Sequence, residues 1–524
     1  MDELLEAFYK RVPDADEAGE RVVFGTSGHR GSSLKTSFNE QHILAIAQSV
    51  ADYRTQNDIT GPLFLGRDTH ALSLPAWEVA LQVLVANGVE VRVSANDVVT
   101  ATPLVSRAIL AFNQGKTFGL ADGLIITPSH NPPEDGGIKY NTPDGGPADT
   151  AVTTWIEKRA NMYLERDCAT VQKVPLFKAK KQAQAYDYVS NYVAELSQVV
   201  DMQVIAQSSL KLGADPMGGT ALPVWQALKE AGLNLEIVNE SIDSSFAFMP
   251  PDHDGRIRMD CSSAAAMANL LKVKDQFALA FGNDPDADRH GIVDEAGLMN
   301  PNHYLCVAVD YLLKNRPQWN AKLKVGKTLV TSSLMDKVVA ANNRQLFEVP
   351  VGFKWFVHGL HLGELAFGGE ESAGASFLTF NGSAWSTDKD GILLCLLAAE
   401  ITAKTGLTPS AYYAKLTAQL GAPFYKRVDT PCSGEQKAAF KALSRDSVTA
   451  KELAGHAITD IFTHAPGNLA GIGGIKVVTE QGWFAARPSG TEDIYKVYAE
   501  SFVSQEHLQA LIDGANGLLK NVLV

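Results

Sequence analysis

The chain has 524 residues, 45% hydrophobic and 20% charged, which is enough for several hydrophobic cores and excludes a disordered polymer. A formal net charge of −13 argues against nucleic acid or an anionic membrane as partner, so an anionic substrate must be held by local cations. The five cysteines (Cys168, Cys261, Cys306, Cys395 and Cys432) are scattered without CxxC spacing, which argues against a disulfide framework and a zinc site.

The N-terminal MDELLEAFYKRVPDADEAGE is acidic and lacks the apolar core of a secretory signal. The longest apolar run, Ile392 to Ala399, is too short to cross a bilayer, so the expectation is a cytoplasmic protein. Three stretches then repeat one layout: an apolar strand, a helical stretch, a second strand, and a third strand that empties into a polar loop. In the first, the strands are PLFLGRD (62–68), VEVRVS (89–94) and DGLIITPSHN (122–131), with an amphipathic run from Trp77 to Leu84. The second reads LKLGADPMGG (210–219), LNLEIVNE (233–240) and FALAFGNDPDADR (277–289). The third reads KTLVTSS (327–333), RQLFEVP (344–350) and GELAFGGEESAGASF (363–377). The last hundred residues alternate like paired strands and end in a helical pattern. The predicted fold is therefore α/β: three similar domains with mixed, mainly parallel sheets, at 1–186, 187–301 and 302–422, and a C-terminal α+β domain at 423–524, arranged around a central cleft. In such sheets ligands gather at the carboxyl ends of the strands, so the polar loops should face one cleft.

Four loops carry the chemistry. Ser129, in TPSHNP, stands at a strand end in a turn stiffened by flanking prolines. His130 beside it invites a Ser-His hydrolase reading, but neighbours on an extended chain point to opposite faces and no GxSxG elbow surrounds them. Asp284, Asp286 and Asp288 are spaced i, i+2, i+4, so an extended loop turns all three carboxylates to one side, where their repulsion calls for a cation. An EF-hand is disfavoured because Arg289 stands where its turn needs glycine and because a strand precedes the loop. Three carboxylates make an oxygen-rich set, which suits Mg²⁺ better than zinc. Mg²⁺ usually keeps phosphate oxygens as partners, which gives a reason to bring this loop to a phosphorylated Ser129. Glu370, Glu371 and Ser372, flanked by glycines, suit sugar hydroxyls, and Arg487, Ser489, Gly490 and Thr491 supply phosphate-binding parts.

Taken together, from FGTSGHRG at 24–31 to RPSGTEDIYKVYAESF at 487–502, these loops resemble the α-D-phosphohexomutase superfamily, most closely its bacterial glucose-preferring members. The resemblance implies Ser129 as a phosphoserine and Mg²⁺ held by Ser129, Asp284, Asp286 and Asp288. It implies Arg30, His130 and Lys139 as catalytic neighbours of the phosphoserine. Substrate contacts fall to Thr26, Ser27, Arg289 and Lys354, with Glu370 and Ser372 on sugar hydroxyls and Arg487, Ser489, Gly490 and Thr491 on the non-transferring phosphate. The implied reaction interconverts glucose 1-phosphate and glucose 6-phosphate, with glucose 1,6-bisphosphate as intermediate and activator. The Glu-Glu-Ser sugar loop favours glucose over the mannose and glucosamine relatives, which keep the other loops. A catalytically silent relative would be expected to have lost Ser129 or a metal-loop aspartate, and neither is missing. Small-molecule hexose phosphates are the expected partners, without nucleic acid or membrane; a homo-oligomer is left open.

Overall fold

The structure is a computed structural model that describes every residue except Thr26, Ser27, His253, 490–493 and 523–524. Among the described residues four sheets form, one per stretch anticipated above. In the first, Leu63–Arg67 pairs in parallel with Val91–Ser94 on one side and Asp122–Ile126 on the other. Asp122–Ile126 is buried at every position because helices cover both faces of the sheet, which is why Gly123 to Ile126 reads without a polar residue. Two of those helices are Ser73–Ala86 and Thr102–Asn113; the second starts with a proline in its first turn, where no amide donor is lost.

Each third strand returns on itself, a feature the sequence reading did not anticipate. Asp122–Ile126 pairs antiparallel with Asp135–Asn141, so the Ser129 loop is a hairpin connection. Leu279–Gly282 pairs antiparallel with Gly291–Asp294, and Leu365–Glu370 with Gly374–Phe377. The incoming strand is in each case parallel to the first strand of its unit, Leu212–Asp215 in the second sheet and Lys324–Thr328 in the third. The three polar loops thus sit at the carboxyl ends of parallel strands. Gly137 makes the first hairpin passable: a Cβ there would lie 2.2 Å from the carbonyl oxygen of Thr127, whose own amide donates to Gly137 at 2.8 Å.

The fourth sheet is antiparallel throughout, with Gly482–Pro488 central and the helix Gln505–Val522 packed against it. Among the described residues no single helix is long and apolar enough to cross a membrane. The pair Gly391–Thr405 and Pro409–Leu420 would meet the length and hydropathy of a span only jointly, and it is bent by 74°. Gly391–Thr405 is almost wholly buried in the core.

Candidate active site

Ser129 is buried and adopts φ +61°, the left-handed region that non-glycine residues enter only when surroundings hold them there. Its Oγ donates to Asp284 Oδ2 at 2.8 Å, so the first and second hairpin loops meet. The backbone twist corrects one expectation. Ser129 and His130 do not point apart, because the chain is not extended here, and His130 Nδ1 lies 3.3 Å from Ser129 Oγ. Burial and the cations Arg289 and Arg30 hold His130 well below the ordinary histidine range, as a neutral imidazole.

The three aspartates converge, with one carboxylate oxygen of each within 4.8 Å of the others. The reason differs from the one anticipated: Ala287 takes φ +57°, so a turn rather than an extended strand gathers the carboxylates. Lys139 Nζ donates to Asp286 Oδ2 at 2.6 Å and to Asp288 Oδ2 at 3.1 Å. Burial and the neighbouring Asp286 and Asp288 charges push Asp284 well above the ordinary carboxylate range. Burial acts the same way on Asp288, but Lys139, Lys389 and Arg289 outweigh it and bring its pKa down. Burial alone would depress Lys139; Asp286 and Asp288 reverse this and keep it charged. Asp286 Oδ1 and Asp288 Oδ1 are buried and accept no hydrogen bond from the described residues. Orphaned carboxylate oxygens at such cost, in an all-oxygen donor set, fit a hard divalent cation.

The remaining cations line the same region. Arg30 Nη1 donates to Asn131 Oδ1 at 3.0 Å, just beyond Ser129. Arg289 is anchored by its backbone amide on Asp284 Oδ1 at 3.0 Å, while its guanidinium stands 3.9 Å from both Asp260 and Asp288. Glu370 is buried and accepts the Gly352 amide at 3.0 Å; burial, partly offset by Lys389, pushes its pKa up to about 7. Glu371 accepts from Thr328 Oγ1 at 3.0 Å and faces Arg487 of the fourth sheet. Ser372 lies half-buried in the same loop. Lys354 is turned toward the first domain, donating to Thr150 Oγ1 at 2.9 Å beside a small cavity that Gly28 and Lys139 also line. Ser489 is buried, with its amide on the Ile494 carbonyl at 2.8 Å. Thr26, Ser27, Gly490 and Thr491 lie outside the described residues.

Two residues were missed in the sequence. Lys389 Nζ sits 3.2 Å from Asp288 Oδ2 and supports Glu370 electrostatically, tying the third loop to the second. Thr102 donates through Oγ1 to Asp286 Oδ2 at 2.7 Å and through its amide to the Asp286 carbonyl at 2.9 Å. Neither belongs to a motif; a lone lysine and a helix-initiating threonine carry no local mark of a site.

Family models match most of the chain. Those for phosphoglucomutase/phosphomannomutase α/β/α domains I, II and III match residues 21–167, 190–297 and 300–420, and that for the C-terminal domain matches 437–515. The chain belongs to this family, within the α-D-phosphohexomutases. It is similar to the phosphoglucomutase of Komagataeibacter xylinus, with 57% identity over 515 residues, 98% of this chain and 93% of that one. The phosphoglucomutase/phosphomannomutase of Thermococcus kodakarensis is 24% identical, covering 96% of this chain and 99% of its own. In fold, the chain is similar to the open form of parafusin from Paramecium (TM-score 0.74, 22% identity, 97% and 95% of the two chains). It is also similar to an Aspergillus fumigatus N-acetylphosphoglucosamine mutase solved with GlcNAc-6P and magnesium (TM-score 0.58, 15% identity, 99% and 98%).

Proposed function

We propose that the chain interconverts glucose 1-phosphate and glucose 6-phosphate through a phosphorylated Ser129. It is a phosphohexomutase by family, and the relative at 57% identity carries the name of the glucose enzyme. The observation that carries the mechanism is the 2.8 Å contact between Ser129 Oγ and Asp284, which sets the nucleophile beside two orphaned carboxylate oxygens. A phosphoserine brings a charge of about −1.5 to −2 into this acidic pocket, which demands cations there.

Asp284, Asp286 and Asp288 would hold Mg²⁺ together with a phosphate oxygen on Ser129; when bound, the ion offsets charge developing on the transferring phosphoryl group. The protein's own part is positioning. In the first half-reaction the phosphoryl group leaves Ser129 Oγ for the free hydroxyl of the sugar phosphate: the Oγ–P bond breaks as the bond to the sugar oxygen forms, the sugar hydroxyl gives up its proton, Oγ takes one up, and the bisphosphate forms. The bisphosphate turns over in the cleft and its other phosphoryl group returns to Ser129, leaving product. His130, neutral and close to Oγ, is suited to receive a proton, whereas Lys139 stays charged and with Arg30 and Arg289 supplies electrostatic stabilisation. Glu370 and Ser372 hold sugar hydroxyls, Lys354 contacts substrate from the third domain, and Arg487, Ser489, Gly490 and Thr491 clamp the distal phosphate. Thr26 and Ser27 join the substrate side. The boundaries 1–186, 187–301, 302–422 and 423–524 divide these roles among four domains.

Glucose 1-phosphate and mannose 1-phosphate, assayed side by side with Mg²⁺ and a trace of the matching bisphosphate, test the substrate. Faster turnover of glucose is expected, and a preference for mannose would reassign the sugar. Ser129→Ala should abolish turnover while sugar-phosphate binding stays within a few-fold, since the hydroxyl carries the phosphoryl group rather than the affinity. Active wild-type protein that never carries phosphate on a Ser129 peptide, even after exposure to glucose 1,6-bisphosphate, would refute the mechanism.

A further inference from the structure

Behind the Ser129 loop lies a buried pair that the reaction scheme does not use. Asp68 directly follows the strand Leu63–Arg67 of the first domain, and His70 follows two residues later; both side chains are inaccessible to solvent. His70 Nδ1 is 2.8 Å from Asp68 Oδ2, and its Nε2 is 3.0 Å from the carbonyl oxygen of Asn131. Asp68 also accepts from Ser73 Oγ, from the His70 amide at 3.0 Å, and from Thr127 Oγ1 at 2.6 Å.

We propose that His70 is a positioning residue for phosphoryl transfer: an imidazolium, paired with Asp68, that braces the Ser129 loop from both sides. Two branches leave the pair. On one, the Thr127 hydroxyl gives its only proton to Asp68 and is left to accept the Ser129 amide at 2.8 Å, which fixes the left-handed turn presenting Oγ. On the other, His70 fixes the Asn131 backbone, and the Asn131 side chain accepts from Arg30. The nucleophile and one of its cations are thus set by the same buried unit.

The charge follows from hydrogen-bond bookkeeping. A carboxylate and a carbonyl oxygen can only accept, so both ring nitrogens must carry a proton, and exchanging the two nitrogens changes nothing. A neutral imidazole would aim a lone pair at one of two buried acceptors. The surroundings agree. Burial would lower His70, but Asp68, its hydrogen bonds and Asp135 on the exit of the loop outweigh burial and raise it. The face toward the second domain is closed by the Phe246 ring, 4.8 Å away between centroids, which brings no charge.

The proposal rests on Ser129 as the phosphoryl carrier, and two measurements on the full chain separate the two ideas. Wild type and His70→Gln are loaded with glucose 1,6-bisphosphate and mixed with glucose 6-phosphate in a rapid-quench experiment. Gln can serve one acceptor but not both, and carries no charge. Phospho-Ser129 decay should slow roughly ten- to a hundredfold, with KM changed less than about twofold. A wild type that never acquires phosphate sinks the Ser129 reading. A wild type that transfers normally beside an equally fast His70→Gln sinks only the role of His70. The second measurement needs no variant. The other buried or half-buried histidines with resolved shifts (His29, His42, His130, His290 and His303) are all lowered, so nitrogen NMR of histidine-labelled wild type should show a buried imidazolium persisting at about pH 8. If every histidine is neutral there, the proposal is overturned even where His70→Gln does not fold.

Discussion

Glu370 gives the residue scale its cleanest pH signature. Its carboxyl is buried, accepts one backbone amide and titrates at about 7 in the fold, against an ordinary value of 4.5. Between those values the native state holds a proton that the unfolded state has released, so stability falls as pH rises from about 4.5 to 7 and then levels. The full cost is on the order of 3 kcal/mol. Glu370→Gln keeps the shape and removes the titration. Relative to wild type, the variant should therefore melt higher at pH 8 than at pH 5, measured without ligand by calorimetry. An identical pH dependence in both proteins would show that Glu370 is solvated in the fold. Mutase activity should nonetheless fall in the variant, because a charged acceptor for sugar hydroxyls is lost.

At the scale of elements, the sequence disclosed which loops matter but not how they are built. The strand ends DGLII, LAFG and ELAFGGE are apolar runs that stop at polar residues, and that boundary is visible in any one-dimensional reading. The hairpins that follow are not, because the pairing partners GGIKYN and GIVD are short and glycine-rich. Nor are the left-handed residues Ser129, Ala287 and Ala373, since neither serine nor alanine advertises positive φ as glycine does. Hence the contact between Ser129 and His130 was misjudged, while the aspartate cluster was found through a spacing argument that the turn does not obey. A parallel recurs between domains: Asp68, at the end of one first strand, holds Thr127, and Thr328, at the end of another, holds Glu371. The metal loop instead borrows its brace from the first domain, through Thr102. Thr102→Val leaves the amide bond to the Asp286 carbonyl and deletes only the hydroxyl bond to the carboxylate. The Mg²⁺ concentration for half-activation should rise roughly tenfold, with kcat at saturating metal little changed. A Mg²⁺ titration indistinguishable from wild type would show that Lys139 alone orients Asp286.

At the scale of the molecule, the fourth domain is joined to the third through a buried ion network that no sequence motif marks. Lys476, on the fourth sheet, donates to the Leu329 carbonyl at 2.7 Å and to Glu348 Oε1 at 3.2 Å. The other oxygen of Glu348 lies 3.2 Å from Lys327, which also pairs with Asp336. An apolar cluster including Leu329, Val330, Trp483 and Tyr498 spans the same interface, and Glu500 accepts the Ser333 amide at 2.8 Å and Trp483 Nε1 at 3.0 Å. Burial would raise Glu348, but Lys476 and Lys327 outweigh it, so the carboxylate holds two ammonium groups at once. Removing a shared partner from a buried network costs on the order of 3–5 kcal/mol, because the charges left behind stay desolvated. Glu348→Ala leaves Lys476 without its carboxylate partner, held only by the Leu329 carbonyl and the face of the Trp483 ring 4.6 Å away, whereas Lys476→Met leaves Glu348 still paired with Lys327. The first should therefore destabilise the chain more than the second. Because Arg487 sits on the sheet that this interface aligns with Glu371, Glu348→Ala should also raise KM for the sugar phosphate more than it lowers kcat. Thermal unfolding of the two variants with parallel steady-state kinetics decides the matter. Equal, small losses of stability with unchanged KM would mean that water, rather than the ion network, fills this interface, and that the apolar cluster alone sets the pose of the phosphate clamp.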